Sequence, residues 1–261
     1  MQPSNSPLTI TPVPCLQDNY AYLIEHTSGD AWVVDPSEAA PVLAILAQRR
    51  LRLRGIIATH HHHDHVGGIA GLVAASDDPQ LWVAAHAHDS GRIPCLTRPI
   101  AAPLGAFTPT KGASQDGRGV ELAGVELWAM WIPGHTDGAI AWMIPGPDGG
   151  DVFTGDTLFA AGCGRLFEGT PAQMYSSLRA LAALAPATRL WFGHEYTAGN
   201  LRFAAVIEPD NSLEITRAAA ELPAITTPTT VARERALNPF VRAASLEEFA
   251  ARRAAKDTFR G

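Results

Sequence analysis

The fold of this chain is decided by residues 59–68, which read THHHHDHVGG. A short apolar run at residues 55–58 precedes this stretch and contains the β-branched residues of a buried strand. After the two glycines, residues 69–73 are typical of the start of a helix. The histidines are therefore predicted to lie on a turn between a strand and a helix, where side chains converge on one point.

The alternation of side chains at a strand end divides the histidines into two pairs. His60 and His62 are predicted to point one way, and His61 and His63 the other, so the second pair is expected to pack beside the site. Imidazole and carboxylate groups suit zinc, iron or manganese. Two sets of such ligands on one turn would suit two metal ions. The alternative is a histidine-rich tract that holds metal loosely at the surface.

The composition excludes several classes of protein. The chain has 261 residues, 46% hydrophobic and 18% charged, as expected of a globular protein with a substantial core. A formal net charge of -6 argues against nucleic-acid binding as the main activity. Residues 1–14 lack a signal-peptide pattern, no apolar run would span a bilayer, and three distant cysteines suggest no thiolate metal site. A cytoplasmic protein without a membrane partner is expected.

Strands and helices alternate as far as about residue 195, and only helices are predicted beyond it. Predicted strands cover residues 8–15, 20–25, 31–34, 55–58, 81–84, 128–132, 139–144, 151–153 and 189–192. Ser37 and Thr170 are predicted helix caps, the second with Gln173 as its capping-box partner. The sequence therefore predicts an α/β domain over residues 1–195 and a smaller helical domain over residues 196–261.

Three further strand ends carry metal-binding residues. His135, Asp156 and His194 each follow a glycine at the end of a predicted strand. Alone, such an aspartate is usually a turn residue, and such a histidine binds metal in a minority of cases. Loops at one edge of an open α/β sheet bind ligands, so these residues are expected to meet the histidine turn. His26, His86 and His88 are expected to be ordinary solvated histidines.

Seven residues then supply a dinuclear metal centre. The predicted ligands are His60, His62 and His135 for one ion, Asp64, His65 and His194 for the other, and Asp156 as a bridge. Two ions about 3.5–4 Å apart lower the pKa of a shared water and fix it as a nucleophile. Asp64 and Asp156 are the predicted catalytic carboxylates, with hydroxide as the nucleophile. The expected reaction is hydrolysis of an acyl or phosphoryl bond. Zinc is the expected ion, with iron and manganese open.

The pattern Thr-His-x-His-x-Asp-His at residues 59–65 resembles the signature of the metallo-β-lactamase superfamily. The stretches PGHT at 133–136, TGDTLF at 154–159, GCGR at 162–165 and GHEYT at 193–197 are similar to the glyoxalase II, or hydroxyacylglutathione hydrolase, family. NPF at 238–240 and RAAKD at 253–257 extend the resemblance over nearly the whole chain. It implies an αββα sandwich with a smaller all-helical C-terminal domain that binds substrate.

The same resemblance implies a substrate and its contacts. The implied reaction is hydrolysis of S-(2-hydroxyacyl)glutathione thioesters, here S-D-lactoylglutathione to D-lactate and glutathione, the second step of methylglyoxal detoxification. The implied substrate contacts are Arg165, Phe167, Tyr196, Arg253 and Lys256. Arg165 stands where the family usually has lysine, and Phe167 where tyrosine is common. A monomer with a small-molecule glutathione thioester as its partner is expected.

The last predicted helix supports the implied glutathione contacts. Ser245 and Glu248 form a predicted capping box at its start. Phe249, Arg253 and Lys256 follow at helical spacings, so the two cations continue an apolar stripe. They would reach a cleft and pair a glutathione carboxylate. Alternatively, they only complement the dipole at the end of the helix.

Two other functions remain as alternatives. A single-iron glutathione persulfide dioxygenase of the same superfamily would share the glutathione moiety, but it would not use Asp64, His65 and His194 as a second site. A non-catalytic metal-binding protein would need only the histidine tract. The recurrence of metal ligands at three other strand ends disfavours it.

Overall fold

A computed structural model describes residues 7–113 and 119–260 of the chain. The chain divides into two compact units: residues 1–101 with 109–127 form the N-terminal unit, and residues 102–108 with 128–261 form the C-terminal unit. The domain boundary predicted near residue 195 separates an α/β region from a helical region, which is a different criterion from compactness. That boundary stays a prediction. No helix within the described ranges is both long and apolar enough to cross a membrane.

The strands in chain order are β1 (Leu8–Cys15), β2 (Asn19–His26), β3 (Asp30–Val34), β4 (Arg52–Ile57), β5 (Trp82–His86), β6 (Arg98–Ile100), β7 (Thr108–Pro109), β8 (Glu121–Leu122), β9 (Val125–Glu126), β10 (Trp128–Trp131), β11 (Ile140–Ile144), β12 (Asp151–Gly155), β13 (Leu158–Phe159), β14 (Gly162–Cys163), β15 (Arg189–Phe192) and β16 (Thr229–Thr230). The helices are α1 (Ala39–Arg49), α2 (His63–Val66), α3 (Ile69–Ala74), α4 (Thr110–Ala113), α5 (Pro171–Ala182), α6 (Thr197–Ile207), α7 (Ser212–Ala220), α8 (Val231–Leu237) and α9 (Leu246–Thr258).

The N-terminal unit is built on a six-stranded sheet in the order β1-β2-β3-β4-β5-β6. The first three strands are antiparallel, and β3 to β6 are parallel. The apolar faces of α1 and α3 pack on this sheet through side chains such as Val42, Leu46, Ile69 and Leu72, all buried. Because β3, β4 and β5 are parallel, the residues that follow them lie at one edge of the sheet.

The C-terminal unit is built on a second six-stranded sheet in the order β16-β15-β12-β11-β10-β7. Strands β12 and β15 are parallel, whereas β11 is antiparallel to both β10 and β12. Strands β10, β12 and β15 therefore end at the same edge. Helix α5 packs on this sheet through buried Met174, Leu178 and Leu181, and it begins with the predicted capping box of Thr170 and Gln173.

The chain after residue 195 is helical except for the short strand β16, which pairs with β15. The predicted cap at Ser245 is present, but Glu248 accepts a hydrogen bond from the amide of Ala244, so the reciprocal half of the box is absent there. The cap predicted at Ser37 is wrong, because α1 begins two residues later. Residues 36–38 are used elsewhere: the Pro36 carbonyl accepts a hydrogen bond from the amide of Gly68 (2.8 Å).

Candidate active site

The histidine turn of the N-terminal unit follows β4 directly, as the sequence predicts. His60 Nε2 and His62 Nδ1 are 3.2 Å apart, and α2 begins at the next residue. Gly68 closes the turn against α1, where a Cβ atom would lie only 2.7 Å from the amide nitrogen of Ala39. The glycines of the signature are therefore required for the close approach of the turn to α1.

Asp35 contacts this turn from the end of β3 and was missed by sequence reasoning. It follows β3, is buried, and accepts hydrogen bonds from the amide (2.7 Å) and the hydroxyl (2.6 Å) of Thr59. His65 Nδ1 also lies 3.0 Å from its carboxylate. A ring nitrogen that donates to a carboxylate leaves the other nitrogen as the metal ligand, so Asp35 orients His65 through Nε2. The sequence signal that could have identified Asp35 is an aspartate at the end of a predicted buried strand.

Asn19 on β2 holds the predicted ligand Asp64. Its side-chain amide donates to Oδ2 of Asp64 (3.1 Å) and to the carbonyl oxygen of that residue (3.0 Å). The other oxygen of the Asp64 carboxylate is not constrained by this contact. His65 Nε2 lies 3.9 Å from Oδ2, so two predicted ligand atoms are close to each other within this unit.

The other histidines of the N-terminal unit divide by burial. His61 Nδ1 lies 3.3 Å from a carboxylate oxygen of the buried Asp89, whereas His63 and His88 are exposed. The expectation that His86 is solvated is wrong, since it is the last residue of β5 and only 7% exposed. Periodicity alone did not reveal that β5 is buried along its whole length.

Three predicted ligands converge within the C-terminal unit. Oδ2 of Asp156 lies 3.2 Å from Nε2 of His194 and 3.5 Å from Nε2 of His135, and all three side chains are buried. His135 Nδ1 donates to the carbonyl oxygen of Arg165 (2.8 Å), which leaves its Nε2 as the nitrogen with a lone pair. Two imidazoles and a carboxylate around one point are a donor set that fits a divalent ion.

Glycines make this convergence possible. A Cβ atom at Gly164 would overlap the carbonyl oxygen of Asp156 and lie 2.9 Å from His135 Nδ1. Gly134 has φ +147° and faces the start of α5, where a Cβ would lie 2.7 Å from Cα of Met174. The PGHT and GCGR stretches therefore need glycine for backbone approach to the site.

A cavity of about 700 Å³ in the same unit adjoins these ligands. His135 and Asp156 line it, and so do all five residues expected to contact substrate, namely Arg165, Phe167, Tyr196, Arg253 and Lys256. Arg202 on α6 also lines the cavity and was missed. Helix α6 (Thr197–Ile207) carries Arg202 to the cavity wall, and this residue belongs to none of the stretches that carry the family resemblance.

The two cations of α9 are held differently. Arg253 is 6% exposed, and its guanidinium donates to the carbonyl oxygen of Cys163 (2.9 Å) and to Asp257 (3.0 Å). Lys256 donates to the carbonyl oxygen of Gly199 (3.2 Å). Burial, followed by the nearby charges of Arg253 and Arg202, lowers the pKa of Lys256 to about 8. The cavity therefore has one permanent buried cation and one cation that titrates near neutral pH.

Cys163 is the one thiol in the cavity wall among the described residues. Its burial raises the pKa to about 11, although the neighbouring guanidinium of Arg253 favours the thiolate. Because the thiolate is the nucleophilic form, a thiol with this pKa is unreactive near pH 7.

Two models of known protein families together match nearly the whole chain. A model described as the metallo-β-lactamase superfamily matches residues 17–194, and one described as the hydroxyacylglutathione hydrolase C-terminus matches residues 195–260. Two curated relatives, each 43% identical over at least 97% of this chain, carry the name hydroxyacylglutathione hydrolase. The chain belongs to the hydroxyacylglutathione hydrolase family. This member of the family has the mixed α/β fold of the metallo-β-lactamase superfamily with a helical C-terminal region, so the predicted fold class is confirmed.

One curated relative and two solved structures are similar over most of the chain. A hydroxyacylglutathione hydrolase from Rhodobacter capsulatus is 43% identical over 97% of this chain and 99% of its own length. The crystal structure of ETHE1 from Myxococcus xanthus has a TM-score of 0.67 at 25% identity, covering 97% of this chain and 92% of that one. The di-iron-bound form of TTHA1623 has a TM-score of 0.57 at 28% identity, covering 89% and 99%.

Proposed function

We propose that this family member hydrolyses S-(2-hydroxyacyl)glutathione thioesters, with S-D-lactoylglutathione as its substrate. The observation that carries this proposal is the cavity of the C-terminal unit, where His135 and Asp156 adjoin Arg253 and Lys256. Hydrolysis of a glutathione thioester needs a centre that activates the thioester carbonyl. It also needs cations, at some distance from that centre, that bind the anionic glutathione moiety. The curated relative from Rhodobacter capsulatus carries the name of the same activity.

Two divalent ions are the proposed cofactor. The proposed ligands are those expected from the sequence: His60, His62, Asp64, His65, His135, Asp156 and His194. Support comes from the convergence of ligand atoms within each unit and from the di-iron-bound structure of TTHA1623. When bound, two such ions lower the pKa of a water and polarise the thioester carbonyl. Zinc is proposed, with iron and manganese as ions that the same donors accept.

The side chains of the chain have separate tasks in this proposal. Asp156 would serve both ions, and Asp64 would complete the second set, with its orientation fixed by Asn19. Hydrogen bonds from His65 to Asp35 and from His135 to the Arg165 carbonyl keep the Nε2 atoms directed at the ions. These contacts preset the centre before substrate binds.

Recognition of the glutathione moiety is assigned to the rest of the cavity. Arg253 and Lys256 pair its carboxylate, and Arg165 adds a third cation at the exposed rim. Tyr196 stacks on His194 with ring centroids 4.8 Å apart, so its hydroxyl is presented from a fixed ring. Phe167, 61% exposed, supplies apolar contact without a hydroxyl. Free cysteines and a glutathione substrate support a cytoplasmic setting in methylglyoxal detoxification, and a monomer is the proposed state.

One experiment tests the proposal and its alternatives together. Purified protein is analysed for metal content and assayed with S-D-lactoylglutathione, with glutathione persulfide and with a small thioester that lacks glutathione. We expect about two ions per chain, hydrolysis of the first substrate, and little of the last. Oxygen consumption with the persulfide and one iron per chain would establish the dioxygenase instead. Bound metal without any turnover would leave only the metal-binding protein.

A further inference from the structure

The hairpin formed by β13 and β14 is one wall of the cavity. Phe159 and Cys163 line the cavity directly, and Gly164 and Arg165 continue the wall from the hairpin. The turn of the hairpin contains Ala161 at φ +54°, a left-handed conformation that is unfavourable for residues other than glycine. Such a conformation persists where the surrounding structure holds it in place.

The backbone of this turn, residues 159–162, is held by side chains from the helical C-terminal region. The amide of Ala161 donates to Glu234 Oε2 (2.8 Å), Asn238 Nδ2 donates to the carbonyl oxygens of Gly162 (2.9 Å) and Phe159 (3.3 Å), and Asn200 Nδ2 donates to that of Ala160 (3.1 Å). Each of the four residues of the turn is therefore bonded by a side chain from α6, from α8 or from the residue after α8.

Glu234 on α8 is the centre of this arrangement. Its side chain is 2% exposed and accepts hydrogen bonds from Thr229 Oγ1 (2.6 Å), Asn238 Nδ2 (2.9 Å) and the Ala161 amide. All three partners donate, so the position requires an acceptor. Its burial raises the pKa of Glu234, which the three donors oppose.

Asn238 is the first residue of the NPF stretch, to which the reaction itself assigns no role. Its amide nitrogen bonds the turn and Glu234, while its oxygen accepts from the amides of Phe240 (3.0 Å) and Val241 (3.4 Å). An aspartate could not replace it, because a second oxygen would face two carbonyls and a carboxylate.

We propose that Glu234 and Asn238 are positioning residues for substrate recognition, which fix turn 159–162 and thereby the cavity wall that carries Phe159, Cys163 and Arg165. The identity of the substrate in this inference rests on the proposed function. The inference that Glu234 and Asn238 fix the turn does not depend on the proposed function. The competing explanation is that this buried pair only stabilises the fold.

An isosteric pair of variants separates these explanations. Glu234→Met removes both carboxylate oxygens, which accept the three hydrogen bonds. Glu234→Gln keeps a carbonyl oxygen that accepts from Ala161 and Asn238. Its amide nitrogen then faces the Thr229 hydroxyl, which can accept a hydrogen bond. In Glu234→Met we expect hydrogen exchange at the Ala161 amide to accelerate roughly tenfold or more relative to the strands of the sheet. In Glu234→Gln it should stay within about twofold of the parent protein.

Kinetics give the second readout. Glu234→Met should raise KM for S-D-lactoylglutathione several-fold with a smaller change in kcat, as expected when binding contacts are displaced. Glu234→Gln should restore the parent KM. The matched control is Asp151→Asn, which removes charge from another buried carboxylate of this unit, one that bonds Trp191 and Arg189 but no residue of the turn. It should lower the melting temperature without selective exchange at Ala161.

If Glu234→Met accelerates exchange equally in the turn and in the strands, or changes neither exchange nor KM, the positioning role is wrong. Should this variant fail to fold, Thr229→Val removes a single bond to Glu234 and should give a weaker change of the same selectivity, so an unaltered turn would overturn the inference. Failure of the parent protein to hydrolyse any glutathione thioester would reject the proposed function alone. The exchange measurement would still decide whether the turn is held.

Discussion

The two units supply metal ligands in contrasting ways. In the N-terminal unit four predicted ligands lie within residues 60–65, and their geometry depends on one turn and on the side chain of Asp35. In the C-terminal unit three predicted ligands come from the ends of different strands, and their geometry depends on the register of the sheet. His65 is oriented by a carboxylate side chain, whereas His135 is oriented by the main-chain carbonyl of Arg165. The orientation of the compact set therefore depends on a neighbouring side chain, whereas that of the dispersed set depends on main-chain contacts and the register of the sheet.

Replacement of Asp156 should have the largest effect, because it is the point where the dispersed set converges. Asp156→Ala should lose both ions and lower hydrolysis of S-D-lactoylglutathione by well over about a hundredfold, more than the loss of a residue that only orients a ligand. His62→Ala, from the compact set, should lose one ion preferentially. Metal analysis with steady-state rates checks both. Two tightly held ions in Asp156→Ala would contradict the bridging role.

Replacement of Asp35 should come next and should distinguish the two ways of orienting a histidine. Asp35→Asn removes the carboxylate that accepts from His65, and loss of such a partner typically costs 10–100-fold in metal affinity. Competition with a chelator measures this. Arg165→Ala is the matched comparison, since His135 is held by the carbonyl of that residue, and its metal affinity should not change. Equal losses in both variants would refute the contrast.

Removal of the two α9 cations should affect recognition and leave the metal ligands intact. In Arg253→Ala/Lys256→Ala we expect KM for the glutathione thioester to rise roughly tenfold, since a charge-assisted hydrogen bond contributes about 1.5–3 kcal/mol. The kcat value should change little. A small thioester without glutathione serves as the control substrate. A folded double variant that handles both substrates equally badly would make the pair structural, in keeping with the bond from Arg253 to the Cys163 carbonyl.

The titration of Lys256 should produce a smaller, pH-dependent effect. A lysine whose pKa is lowered to about 8 is charged below that pH and neutral above it. The kcat/KM value for the glutathione thioester should therefore fall as the pH rises through about 8, because this ratio reports groups of the free enzyme. Lys256→Arg keeps its charge and should flatten the profile in that range. A decline that persists unchanged in Lys256→Arg would assign the titration to another group.

Replacement of Cys163 should have the smallest effect. With its pKa raised to about 11 by burial, the thiol should form no acyl intermediate, and Cys163→Ala should keep activity within roughly a factor of a few. Mass spectrometry of rapidly quenched reactions checks the mechanism directly. An acyl group trapped on Cys163 would overturn the hydrolytic scheme.

Sequence reasoning reached the strands of four or more residues and the histidine turn because each depends on local residue patterns. The substrate contacts in the cavity came from the resemblance to the glyoxalase II family. Sequence reasoning missed Asp35, because the role of that residue arises only when β3 pairs in parallel with β4. It misplaced the cap at Ser37, because residues 36–38 approach the histidine turn, where Gly68 donates to the Pro36 carbonyl, and α1 begins only at Ala39. His86 appeared solvated for a similar reason, since the burial of β5 along its whole length depends on tertiary packing that the local sequence does not show.

The support of His135 by main-chain atoms has a consequence for how the family diversifies. The carbonyl of Arg165 holds one ring nitrogen of His135, and the amide of Phe167 donates to the carbonyl oxygen of His135 (3.1 Å). Neither contact involves the side chain of Arg165, so mutations at that position can alter the preference for thioesters without disturbing the ligand. Arg165 is then tolerated at a position where the family resemblance implies lysine. The Phe167 ring, by contrast, lies edge-on to the His135 ring with centroids 5.3 Å apart. Selection can retune the specificity of this segment while the reaction chemistry is inherited intact.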